Sequence, residues 1–138
     1  MNRMTLHVGL AALAVSAGAF AQNYPSKPIR LIVGFAPGGG TDTTARPIAQ
    51  RLGEALGQQV IVDNRPGAAG NIATDLVAKA NPDGYTILMG TIAALSINPS
   101  LYGKLPFDPD RDLAPVIQAV DSTNVLSLHP SGTAGSVK

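Results

Sequence analysis

No cysteine and no tryptophan occur among the 138 residues. Disulfide staples and thiol chemistry are therefore excluded, and stability has to come from apolar packing. Aromatic residues make up only 4% of the chain and the net charge is +1 without a basic run. Bases find few rings to stack on and phosphates no positive stripe, so nucleic acid is not an expected partner. The two histidines, His7 and His129, are too few for a histidine metal site or a Ser-His-Asp triad. No metal and no cofactor are expected. Beyond the first 21 residues no second long apolar run appears, so no membrane span is expected there.

What is present begins at the amino terminus. Arg3 gives a short positive start, residues 6–20 are rich in Leu, Ala, Val and Gly, and Ala19-Phe20-Ala21 supplies small residues before a cut. This is the order of a secretory signal, and its apolar run is shorter than a span needs. Residues 1–21 are expected to be removed near Ala21, placing the rest outside the cytoplasm. The remainder suits one small domain.

Along that remainder, residues 29–35 read as a buried strand. Ala45, Ile48, Ala49, Leu52 and Leu56 recur at helical spacing over residues 43–56. Pro47 fits only if that helix starts near Thr43 or Thr44. A second strand is expected at 59–62 and a second helix from Asn71, with Ile72, Ala73, Leu76, Val77 and Ala80 on one face. A turn at Asn81-Pro82-Asp83-Gly84 leads to a third strand at 85–89. A short helix over 92–97 should stop at Pro99, and 105–112 reads as surface loop. Residues 116–120 and 124–128 are candidate strands. The β-α-β-α-β order with short connections predicts an α/β fold: a parallel sheet with right-handed crossovers, flanked by helices.

Two glycine-rich loops, residues 35–42 and 65–71, each run from the end of a strand to the start of a helix. In a parallel sheet both lie at one edge, where open α/β sheets bind ligands. Helix-opening amides lack internal partners and carry the positive end of the dipole, so two such ends suit a carboxylate or phosphate. Neither loop has the lysine of a nucleotide-binding P-loop or the spacing of a dinucleotide loop, which leaves a small organic anion. Asp42 reads as a helix cap or as a group that meets a ligand, roles that are compatible, and Asn71 reads first as a cap. Thr91 could donate a hydroxyl at the same edge or be a plain loop threonine. Arg65 could pair with a carboxylate or stand in solvent. Asp108, Asp110 and Asp112 alternate as in a calcium loop but lack its central glycine and closing glutamate, so they read as solvated surface.

The strings Tyr24-Pro25-Ser26-Lys27-Pro28-Ile29, Phe35-Ala36-Pro37-Gly38-Gly39-Gly40-Thr41-Asp42, Val62-Asp63-Asn64-Arg65-Pro66-Gly67-Ala68-Ala69-Gly70-Asn71, Pro82-Asp83-Gly84-Tyr85-Thr86 and Ile97-Asn98-Pro99-Ser100-Leu101-Tyr102, with the continuation to Asp112, carry a resemblance. Together they resemble the Bug-type solute receptors, the extracytoplasmic binding components of tripartite tricarboxylate transporters. The resemblance implies a periplasmic-binding-protein-like (type 2) lobe whose ligands are small organic carboxylates. It implies that one carboxylate is held at the two loops, which carries over to Phe35, Pro37, Gly38, Gly39, Asp42, Ala69, Gly70 and Asn71, with Thr91 beside them. It further implies a periplasmic location, a membrane permease as partner, and binding without catalysis. Receptors of this kind are more than twice as long. The expectation is an incomplete amino-terminal lobe over residues 22–122 and a crossover into a second lobe over 123–138, the chain being truncated before that lobe. A chain of this kind is expected to bind organic acids weakly or not at all. Two other readings compete: a small secreted hydrolase acting on a carboxylate or phosphate ester, and a nonfunctional remnant. The first lacks a nucleophile–base pair that the sequence could assemble.

Overall fold

Ile29–Val33 forms the strand β1 because four of its five residues are apolar and find cover on both faces; only Arg30 is exposed. The computed structural model describes residues 24–122. β1 pairs in parallel with β2 (Val60–Asn64) on one side and β3 (Thr86–Met89) on the other, giving the order β2-β1-β3. The strands end level, since Val33 lies opposite both Asn64 and Met89.

The connections explain the layers. From β1 the chain crosses through α1 (Gly40–Leu56) to β2, and from β2 it returns through α2 (Asn71–Ala78) past β1 to β3. Two right-handed crossovers in opposite directions put their helices on opposite faces. Accordingly Leu31 and Val33 pack with Ala45 and Ala49 of α1, joined by Val60, Val62, Ile87 and Met89. Ile32 faces the other way and is fully buried, as is Ala73 of α2, the helix that packs on β1 and β3. At the opposite edge the Tyr24 hydroxyl donates to the Gly84 carbonyl, and the Lys27 ammonium sits 4.2 Å over the Tyr85 ring.

Four expectations are corrected. α1 starts at Gly40 rather than near Thr43, because the Thr43 amide already donates to the Gly39 carbonyl at 2.9 Å. Pro47 therefore stands two turns inside the helix, where it supplies no donor to the Thr43 carbonyl. Both residues are exposed, so water can take the place of that bond. Pro47→Ala should stabilise the fold by about 1–3 kcal/mol, read as a rise in the urea midpoint.

Residues 116–120 form no strand. Val116 and Ile117 are 89% and 83% exposed, so the segment gains no apolar cover, and it pairs with none of the three strands. Residues 124–128 lie outside the described residues. Pro99 does not stop the short helix. A widened turn, Ala93–Ile97, in which the Asn98 amide reaches back to the Ala93 carbonyl, passes without a break into α3 (Asn98–Leu101), which contains Pro99. The region 105–112 is not all loop. Pro109–Asp112 forms one helical turn, α4, and the Asp108 carboxylate caps it by accepting from the amides of Asp110 and Arg111. The alternating aspartates are thus helix-end groups on an exposed surface. No helix among the described residues is long and apolar enough to cross a membrane.

Candidate functional site

Because the strands end level, the segments 34–39, 65–70 and 90–92 all leave from one edge. The second must pass over the end of β1 to reach α2 on the far face. Gly34 and Gly70 meet at that crossing. A Cβ on Gly34 would stand 2.9 Å from the Gly70 Cα, and one on Gly70 would touch Ala94 and the Phe35 ring at 3.3 and 3.7 Å. The two glycine-rich loops are therefore brought into contact, with Phe35 against Gly70.

Loop two has an unusual backbone. Gly67, Ala68, Ala69 and Gly70 follow one another with φ of +136°, +47°, +53° and +94°. For the two alanines the left-handed region costs roughly 1–2 kcal/mol each. The surroundings hold them there. The Gly70 amide donates to the Gly67 carbonyl at 3.0 Å and the Thr74 hydroxyl to the Gly70 carbonyl at 2.9 Å. The Asn98 amide nitrogen donates to the Asn71 side-chain oxygen at 2.6 Å and to the Ala69 carbonyl at 3.3 Å. Strain maintained in this way is characteristic of ligand clamps.

Loop one is held by Asp42. Its carboxylate is buried, only 2% exposed, and accepts four hydrogen bonds. One oxygen takes the Gly38 amide (2.9 Å) and Arg46 Nε (2.8 Å). The other takes the second Arg46 nitrogen (3.0 Å) and the Asn64 amide (2.9 Å). Asn64 also donates to the Phe35 carbonyl at 3.0 Å. The Arg46 guanidinium, then the Gly38 amide, then Asn64 hold the Asp42 carboxyl far below the usual carboxylate range, and Asp42 in turn raises Arg46.

Asp42 and Asn71 are not the helix caps that the sequence suggested. Gly39 and Gly70 occupy those places, and neither helix has a side-chain cap bond. Each side chain is instead buried in a network that ties one loop to a neighbour. Pro37, Gly38 and Gly39 are exposed at the edge, as is Ala69, whereas Gly70 and Asn71 are buried. The Thr91 hydroxyl, just past β3, is buried without a hydrogen-bond partner among the described residues. Arg65 is half-exposed and turned to Asp63 at 2.8 Å, which Arg30 also grips at 2.7 Å; Arg30 first, then Arg65, lower that carboxyl. Arg65 is thus neither free nor aimed into the loop contact. Among the described residues no three His, Cys, Asp or Glu side chains are grouped to hold a metal.

Sequence reasoning missed Arg46, Asn64 and Asn98. Arg46 was legible, since an Asp–Arg pair four apart shares a helix face. Asn64 and Asn98 carry no local signal, because their partners lie 22 and 27 residues away.

The edge can therefore offer helix-opening amides of α1 to an anion beside the left-handed backbone of loop two, whose Gly70 and Asn71 amides turn back to the Gly67 and Ala68 carbonyls, over a scaffold whose nearest cations are already paired. Known proteins are similar to this chain in sequence and in fold. Protein BugT of Bordetella pertussis is 41% identical over 133 residues, covering 94% of this chain and 41% of that protein. A Rhodopseudomonas palustris protein solved with adipate is similar at 44% identity and a TM-score of 0.61, over 63% of this chain and 29% of that one. MatC from Rhodopseudomonas palustris with bound malate is similar at 38% identity and a TM-score of 0.62, over 64% and 30%. The chain spans 33–41% of the length of the curated relatives compared. A parallel sheet flanked by helices with these neighbours is the fold of a periplasmic-binding-protein lobe. The family model described as "Tripartite tricarboxylate transporter family receptor" matches residues 44–137, more than half of the sequence, and the chain belongs to that receptor family.

Proposed function

We propose that this chain binds a small organic carboxylate at the loop edge of its sheet, as part of an extracytoplasmic receptor that serves a tripartite tricarboxylate-type permease. Residues 22–122 then form the ligand-facing lobe, 123–138 lead toward a second lobe, and residues 1–21 are the export signal, cleaved near Ala21 in passage to the periplasm. The observation that carries the reading is the meeting of two helix-opening loops at one edge, one of them kept in a left-handed conformation at two alanines. Solved relatives hold adipate and malate, and both are carboxylates.

In this reading Gly39 and Ala69, exposed at the edge, offer backbone approach to one carboxylate, Gly70 lets the two loops meet behind them, and Phe35 and Pro37 flank it. Gly38, Asp42 and Asn71 fix the loops, and Thr91 supplies a hydroxyl. Binding is not followed by chemistry: the anion docks, the lobes close by a hinge, and the closed form meets the permease. A helix end and a few charge-assisted hydrogen bonds at one exposed edge, offset by the cost of association, narrow the expectation of weak binding or none to weak binding, on the order of millimolar.

Calorimetric titration of the chain from Gln22 onward with malate and with adipate should show saturable binding in the millimolar range. Their diamides, which lack the charge, should give none. Equal response to acid and diamide, or no response to either acid, contradicts the reading. Turnover of a carboxylate or phosphate ester by the same preparation would point to a hydrolase instead.

A further inference from the structure

We propose that Arg46 and Asn64 are positioning residues of the carboxylate site: they neutralise and saturate Asp42, so that the loop edge presents amide donors to an incoming anion rather than a negative charge. This role rests on the carboxylate reading above. Asp42 is the third residue of α1, inside the turn whose amides and dipole would attract the ligand. An unpaired carboxylate there competes with the ligand for the helix end and repels it.

The geometry removes both effects. Arg46 forks onto both Asp42 oxygens at 2.8 and 3.0 Å from the next turn of the same helix. Asn64, at the end of β2, takes the remaining acceptor site and ties it to the Phe35 carbonyl. With the Gly38 amide, four donors meet the four acceptor positions of one carboxylate. Arg46 itself is half-exposed while its partner is buried, so the positive charge compensates without closing the edge.

Removing Arg46 while keeping Asp42 separates charge from shape. In amide-shift titrations with malate, Arg46→Met should raise the dissociation constant tenfold or more. Arg46→Met combined with Asp42→Asn should recover most of that loss, because the uncompensated charge is gone. Unchanged malate affinity in Arg46→Met overturns the proposal, and so does a folded double variant as weak as the single one. Should Arg46→Met fail to fold, Asn64→Ala carries the test. It should weaken malate binding threefold or more, and without ligand it should speed hydrogen exchange of the Gly38 amide severalfold. If Asn64→Ala shows neither effect, the role is overturned. No malate response in the unaltered chain overturns the carboxylate reading and this role with it, whereas a response that Arg46→Met and Asn64→Ala leave intact overturns this role alone.

Discussion

Asp42→Ala is expected to lower the melting temperature by about 10 °C. The carboxylate is more than nine-tenths buried and joins three elements: Gly38 of loop one, Arg46 of α1 and Asn64 of β2. Alanine leaves those donors without their acceptor; Gly38 and Arg46 can turn to water, while the partly buried Asn64 bears more of the desolvation cost, and the three elements lose their common tie. The pH dependence gives the substitution a signature. Arg46, Gly38 and Asn64 depress the folded pKa of Asp42 far below the usual carboxylate range. A depressed carboxylate adds stability that is fully present above the unfolded-state value and is lost as pH falls through the folded one. The unaltered chain should therefore lose stability more steeply than Asp42→Ala as pH drops below about 4. Asp63, Asp83 and Asp112 are also depressed. They remain in both proteins and cancel in the difference. Parallel melting curves from pH 7 to pH 2 measure it; equal slopes would show that the network is not the acid-sensitive element.

Gly34→Ala carries the second large effect. The added methyl would stand 2.9 Å from the Gly70 Cα and 3.3 Å from the Ala73 Cβ. The first neighbour is backbone and cannot rotate away, so loop two must shift off the end of β1. Overpacking of this kind costs about 1–3 kcal/mol, or a melting-temperature drop of roughly 5–20 °C for a domain of this size. The shift would also separate Phe35 from Gly70, so ligand response should fall with stability. Gly103→Ala is the control: its Cβ meets nothing within 4 Å, and its melting temperature should stay within about 2 °C of the unaltered chain.

How far the sequence alone reaches is visible in particular residues. The three strands and two long helices were legible because Ile29–Val33 is an apolar run and Ala45, Ala49 and Ala73 fall on helical stripes. The common edge was legible too, since parallel order puts every strand-to-helix loop at one end. The start of α1 was not, because Pro47 argued for a late beginning while the Asp42 tether, a tertiary contact, favours an early one. Residues 116–120 read as a strand from β-branched composition, but a strand also needs a neighbour, which composition does not reveal. Within the site, Asp42 read as a helix cap or a ligand contact, whereas its carboxylate is buried in a hydrogen-bond network and caps no helix. A cap and a buried four-donor carboxylate look alike in sequence: Gly38 and Arg46 are near enough to be read, but Asn64 lies 22 residues along the chain.

The meeting point of the two loops is the proposed anion site. Amide chemical shifts of the isotope-labelled chain during titration with malate test it residue by residue. Saturable shifts at millimolar malate are expected, concentrated at Gly39, Gly40, Ala69, Gly70 and Asn71, with the turn at Asn81-Pro82-Asp83-Gly84 on the opposite edge unmoved. Shifts centred on that opposite turn, or no saturable shift at the two loops, would contradict it.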